Sequence, residues 1–161
     1  MNNSSVRELL PDQQKEQFDA IVEQRILGAG NHIAMVGQMI QAIAERGKRE
    51  KRPAGQIIDE VLEVAEYFIS TRGEASQAVS NAILLMTHGI GNLREMETGE
   101  AVRLIIQTKD SYAKQAAQAV KQCVSYAVKL ASPMERIFVY DYSSTVEKFL
   151  RGLKENGKTY E

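Results

Sequence analysis

Residues 54–70 read AGQIIDEVLEVAEYFIS, and this stretch decides the fold. Ala54, Ile57, Ile58, Val61, Leu62, Ala65, Phe68 and Ile69 recur at intervals of three and four without a gap. That spacing gathers them on one face of a helix, because residues three and four apart are neighbours on a 3.6-residue turn. Pro53 suits the first turn, where its missing N–H costs no hydrogen bond. Gly73 reads as the stop.

The same pattern extends in both directions. Upstream, Met1 to Ser5 is polar and expected to be loose. From about Pro11, the residues Phe18, Ile21, Val22, Arg25 and Ile26 share the face of a first helix, which Gly28-Ala29-Gly30 breaks. A second helix is expected from Asn31 to Arg46, with Ile33, Val36, Ile40, Ile43 and Ala44 inward. Gly37 would admit a close neighbour, Gly47 would end the helix, and Lys48 to Arg52 would form a charged loop. Downstream, Ala78, Val79, Ala82, Ile83 and Met86 mark a fourth helix. After a connection between Gly91 and Gly99, a long helix runs from about Glu100 to Ala131, with a bend expected near Thr108 to Ser111. Its stripe takes in Tyr112, Ala116, Val120, Cys123, Val124, Ala127 and Ala131.

Ser132-Pro133 opens a different style. Arg136-Ile137-Phe138-Val139-Tyr140 is short, apolar and rich in β formers, which reads as a buried strand. Ser144-Thr145-Val146-Glu147 matches a capping box, and Val146, Phe149, Leu150 and Leu153 give the following helix an inward face. One strand cannot be a sheet, whereas strand, turn and helix together open a βαβ unit. A truncated chain, or half of a larger protein, is therefore expected. The alternative is a strand that adds to a partner chain or docks on the bundle as an edge. The fold class is mainly α. A bundle of about five to six helices covers residues 1–132, and a strand–turn–helix that would open an α/β domain covers residues 133–161.

Composition narrows the function classes. A chain of 161 residues suits one domain and buries roughly 70% of its unfolded surface. Lys plus Arg number 20 and Asp plus Glu 21, a net charge of −1, which provides no global pull toward nucleic acid or acidic membranes. The longest apolar run, Ala82 to Met86, is far shorter than a membrane span. A lone cysteine, Cys123, forms neither an internal disulfide nor a cysteine-based zinc site, which points to a reducing, cytoplasmic compartment. On its apolar stripe Cys123 reads as a small core residue. His32 and His88 lack any ligand pattern, so no metal and no cofactor are expected.

Three segments together carry a resemblance. Thr71-Arg72-Gly73-Glu74-Ala75-Ser76-Gln77-Ala78-Val79-Ser80-Asn81-Ala82-Ile83 resembles the motif joining two helices in the regulatory subunits of initiation factor 2B. Methylthioribose-1-phosphate isomerase and ribose-1,5-bisphosphate isomerase share that motif. Arg136 to Val146 resembles the family's strand-to-helix junction, and Leu27-Gly28-Ala29-Gly30 sits where the isomerases have Arg-Gly-Ala. The likeness runs from about residue 15 to the end. It implies a helical amino-terminal domain before a Rossmann-like domain, with a phosphorylated sugar or nucleotide bound between them. It also implies a homo-oligomer or assembly with related subunits. The implied chemistry is aldose-to-ketose phosphate isomerisation by a full-length relative, with this chain inactive alone. The resemblance matches Arg72 to a phosphate-contacting arginine. Asp141 stands where the isomerases have cysteine, and Leu27 where they have arginine, departures that fit a divergent relative or a binding and regulatory member of the family.

The residues admit their own readings beside this. Arg72 extends the apolar stripe past Ile69, and its guanidinium either grips a phosphate in two-point fashion or makes an ion pair with Glu74 or another acid. Gly28 and Ala29 are candidate ligand contacts where two helices meet. Ser143 and Ser144 open a helix, where free amides favour anions, although Ser144 and Glu147 could simply cap it. Asp141, after the strand, is a candidate acid, base or sugar-hydroxyl acceptor, or else a turn residue. Arg72, Gly28 and the Asp141 to Ser144 turn are expected to face one phosphate-sized hollow. Lys48 to Arg52 reads as a solvated loop, a partner patch or a nucleic-acid contact, and the absence of interleaved aromatics disfavours single-strand stacking.

Overall fold

The computed structural model describes residues 3–140 and 143–159. Among the described residues seven α-helices are formed: α1 Asn3–Glu8, α2 Asp12–Val22, α3 Ala29–Arg49, α4 Ala54–Ala75, α5 Gln77–Met86, α6 Thr98–Ala131 and α7 Ser144–Glu155. A 3₁₀ turn, Ile90–Leu93, follows α5. The mainly α class expected from periodicity is the one observed. The chain divides into two units, Met1–Tyr112 and Ala113–Glu161, so the boundary expected after residue 132 falls inside the second.

In the first unit α4 is the central element, and it packs against α3, α5 and the 3₁₀ turn. Of the stripe that decided the fold, Ile57, Ile58, Val61 and Phe68 are fully covered, Ala54 and Ala65 are buried, and Leu62 and Ile69 are partly buried against the core, while Val64, outside the expected stripe, is fully covered too. They join Phe18 and Ile21 of α2, Val36, Met39, Ile40 and Ile43 of α3, and Ile83 of α5 in one core. Phe18, Tyr67 and Phe68 form a three-ring cluster with centroids 5.2 to 5.4 Å apart.

Two helices run through the glycines expected to end them. α3 continues past Gly47 to Arg49, and α4 past Gly73 to Ala75. Both glycines mark close packing. A Cβ on Gly47 would lie 2.4 Å from Ile57 Cγ1, and one on Gly73 would lie 2.9 Å from Ser80 Cβ. The absence of a side chain is used here to bring backbones together. Gly37 behaves as expected, against Met86 and Lys109.

Lys48 and Arg49 are therefore helical rather than loop, and with Arg46 they place three cations in the last turn of α3, where the helix dipole favours them. Arg52 is structural as well. It grips Glu60 at two points, 2.6 and 3.0 Å, and Arg46 Nη2 reaches the same carboxylate at 3.0 Å and the Leu9 carbonyl at 2.7 Å. This pins the α3–α4 turn and α1 to one acid.

The second unit holds most of α6 and all of α7. Val128, Ala131 and Leu153 are its small buried core, with Val124, Ile137, Phe149 and Leu150 packed around it. Lys158 Nζ donates to the carbonyls of Ala131 (3.1 Å), Ser132 (3.3 Å) and Met134, which closes the end of α6 with a cation. α6 is a continuous helix through Thr108 to Ser111.

Two expectations fail in this unit. Arg136–Tyr140 forms neither helix nor strand, and none of its amides or carbonyls is hydrogen-bonded among the described residues. Nor is it buried: Ile137 packs into the small core, but Phe138 is 90% and Tyr140 87% exposed. A strand needs a partner ladder, and β-forming composition does not provide one. Cys123, expected in the core, is exposed. The α6 stripe toward α7 runs through Val124, Val128 and Ala131, and Cys123 lies to one side of it.

Candidate functional site

Arg72 lies in the last turn of α4 and is half-buried. Its Nη2 donates to the Val22 carbonyl at 2.8 Å. Val22 is the last residue of α2, whose final carbonyls have no partner within their own helix, so a cation there satisfies an open acceptor and complements the dipole. Neither Glu74 nor any other described carboxylate reaches Arg72. Of the ten arginines, seven pair with a described carboxylate, while Arg49, Arg72 and Arg136 do not, and only Arg72 of these three is half-buried.

Tyr67 stands near this guanidinium. Burial pushes its phenol up, and the charge of Arg72 acts in the opposite direction. Sequence reasoning placed Tyr67 nowhere near a site, although Tyr67 and Arg72 are five apart on one helix. Tyr67 lies outside the apolar stripe of this helix, and a buried phenol carries no sequence pattern that marks it.

Beyond Val22 the chain turns sharply toward α3. Gln24 has φ +56°, the Arg25 and Ile26 amides both donate to the Ala20 carbonyl, and Leu27 is 68% exposed. Gly28, the N-cap of α3, has φ +95°, a conformation that L side chains rarely adopt. Ala29 begins α3 and packs against the core, and its amide and that of Gly30 have no hydrogen bond among the described residues. Asn31 Nδ2 donates to the Leu27 carbonyl and His32 Nε2 to the Ile26 carbonyl, both at 2.8 Å. Arg72 and Gly28-Ala29 are thus linked through one short connection. The Arg72 cation on α4 and the two unpaired amides of α3 are each groups suited to an oxyanion.

The remaining candidates belong to the second unit. Ser143 is the exposed N-cap of α7, one residue earlier than the expected capping box, and its side chain makes no capping bond. Ser144 is the first helical residue and is exposed. Asp141 lies outside the described residues. A hollow of about 700 Å³ in this unit is lined by Glu135, Arg136, Ile137, Val139, Leu150, Lys158 and Thr159. Among the described residues no three His, Cys, Asp or Glu side chains come together, and no helix is long and apolar enough to cross a membrane. Compared with known proteins, the chain matches no family model, no curated protein and no solved structure.

Proposed function

We propose that the chain is the amino-terminal helical domain of an initiation factor 2B-like or sugar-phosphate isomerase-like protein of the cytoplasm. In this reading it contributes one wall of a cleft for a phosphorylated sugar or nucleotide. The observation that supports this is the state of Arg72: half-buried, without a carboxylate, and using one nitrogen on a neutral carbonyl. A guanidinium has about five N–H donors, so most of its capacity is unspent. Gly28 and Ala29 would bring ligand close to the amides that open α3. This chain alone would bind and not turn over, because the rest of the isomerase machinery is not matched in it.

The test is a titration of the 161-residue chain with inorganic phosphate and with ribose 5-phosphate, followed by amide chemical shifts. Saturable shifts are expected around residues 22–30 and 67–73. They should be lost in Arg72→Ala and weakened in Arg72→Lys, because ammonium is a point charge without the planar fork. Unchanged affinity in a folded Arg72→Ala protein would refute the assignment.

One observation favours a second reading, a non-catalytic module that contacts partner proteins. In the second unit Tyr126 and Leu130 are each 71% exposed and Phe138 and Tyr140 more so, and exposed apolar surface of this kind marks interaction sites. Capture of a stable partner that Phe138→Ser abolishes, with no phosphate-dependent melting shift, would select this reading over the first.

A further inference from the structure

We propose that Arg72 is a latch: an oxyanion that engages the guanidinium draws it off the Val22 carbonyl and loosens the link from Glu23 to Gly28. The proposal rests on the reading of Arg72 given above. It goes further by coupling occupancy to the order of a segment.

The link is fastened unevenly. Its α3 end is held locally, by Asn31 on the Leu27 carbonyl and His32 on the Ile26 carbonyl. Its α2 end is held by the Ala20 carbonyl, which receives two amides, by the Arg25 guanidinium on Glu16 and Glu23, both at 2.7 Å, and by Arg72 on Val22. Arg72 comes from 50 residues away and adds a polar tie from this end to α4, beside the core packing of Ile21 and Val22. Between the two ends stand a non-glycine residue at positive φ, Gln24, and an exposed leucine, Leu27. Such a backbone persists only where its surroundings hold it.

The competition is unequal. The bond to Val22 is already donated by a cation, but its acceptor is neutral, whereas a phosphate adds its own charge and a two-point grip. Both planar forks of a guanidinium include Nη2, and Val22 occupies one of the two Nη2 hydrogens. A phosphate on that fork requires the carbonyl to let go. A phosphate on the other fork would leave the latch closed, which gives the proposal a definite way to fail.

The experiment is hydrogen exchange on the 161-residue chain, with and without saturating inorganic phosphate, with sodium chloride matching the ionic strength. In the wild-type protein phosphate should speed exchange of the Arg25 and Ile26 amides roughly tenfold, the scale of one lost charge-assisted bond. Arg72→Ala should show the faster rate without phosphate and no response to it. Arg72→Lys, which keeps a cation, provides the comparison if the alanine variant does not fold, and its phosphate response should be smaller than that of wild type. Saturable phosphate shifts with unchanged or slower exchange at Arg25 and Ile26 would overturn the latch and leave the anion site standing. Absence of any saturable shift would overturn the anion site and the latch together.

Discussion

At Gly47, α3 and α4 approach so closely that an added methyl would lie 2.4 Å from Ile57 Cγ1 and 2.5 Å from Cδ1. Ile57 is fully buried and β-branched, so it has little freedom to swing aside. Two effects compete in Gly47→Ala. Replacing a helical glycine gains up to about 1 kcal/mol from propensity. Overpacking a filled core costs about 1–3 kcal/mol. The clash is far inside contact distance, so the second effect wins, and a net loss of about 1–2 kcal/mol is expected. The decisive comparison is in an Ile57→Ala background. That variant alone should lose about 2–5 kcal/mol by leaving a cavity. With the side chain gone, Gly47→Ala should become stabilising by about 1 kcal/mol, giving a coupling of about 2–3 kcal/mol between the sites. Urea unfolding followed by circular dichroism measures all four proteins, provided their m values agree. A stabilising Gly47→Ala in the wild-type background, or an equal effect in both backgrounds, would refute the packing argument.

Other expectations follow from single features. Cys123 is exposed, so a thiol reagent should label it in the native protein at a rate within about threefold of the unfolded chain, since access rather than burial sets reactivity there. The amides of Arg136–Tyr140 have no acceptor, and hydrogen exchange should find them near the unprotected rate, whereas protection of alternate residues would mean that a strand partner is present. Arg7 grips Asp19 at 2.8 and 3.1 Å through Nε, and this hydrogen bond holds the Asp19 carboxyl below its ordinary range. A depressed carboxyl stabilises the fold above its unfolded pKa and loses that contribution as pH falls through the folded value. Stability should therefore fall more steeply below about pH 4 in wild type than in Asp19→Asn, as acid titrations of unfolding midpoints would show. Lys158→Met should cost about 1–2 kcal/mol locally by leaving the α6 end uncapped, read as faster exchange across α7.

What the sequence disclosed about the fold was what depends on local spacing. The stripe from Ala54 to Ile69 needed only a period of three and four, and most of it lies in the observed core, which adds Val64 and Tyr67 and leaves Leu62 and Ile69 at its edge. Gly47 and Gly73 were misread because the same residue serves two physical ends. It terminates a helix when its φ turns positive, and it admits a neighbour when its missing Cβ matters. Only the position of Ile57 or Ser80 decides between them, and that is tertiary information. Arg136–Tyr140 shows the corresponding limit for strands. Residue type sets a preference for the extended backbone, but a ladder is a property of two segments, and no segment pairs with this one among the described residues. For the site, Arg72 was legible as a cation ending an apolar stripe. Its bond to a carbonyl 50 residues away was not, because a main-chain acceptor carries no residue signature.

Lys158 and Arg72 both close helix ends, and the contrast between them carries the functional argument. Lys158 and Arg72 each sit on carbonyls that a helix leaves open, Lys158 at the end of α6 and Arg72 at the end of α2. An ammonium has about three donors, and Lys158 places its Nζ among three carbonyls, so its capacity is consumed by the cap. A guanidinium has about five, and Arg72 commits one nitrogen to one carbonyl. A residue selected only to cap could be lysine at either place, since a compact point charge serves one carbonyl as well as a planar fork does. Arginine at 72, half-buried and without an acid, therefore holds donors that the fold does not use. Replacing it by lysine separates the two roles. If capping is the whole role, Arg72→Lys keeps both stability and the slow exchange of Arg25 and Ile26, and no phosphate response exists to lose. If the spare donors serve an anion, stability survives the exchange to lysine but the phosphate response falls.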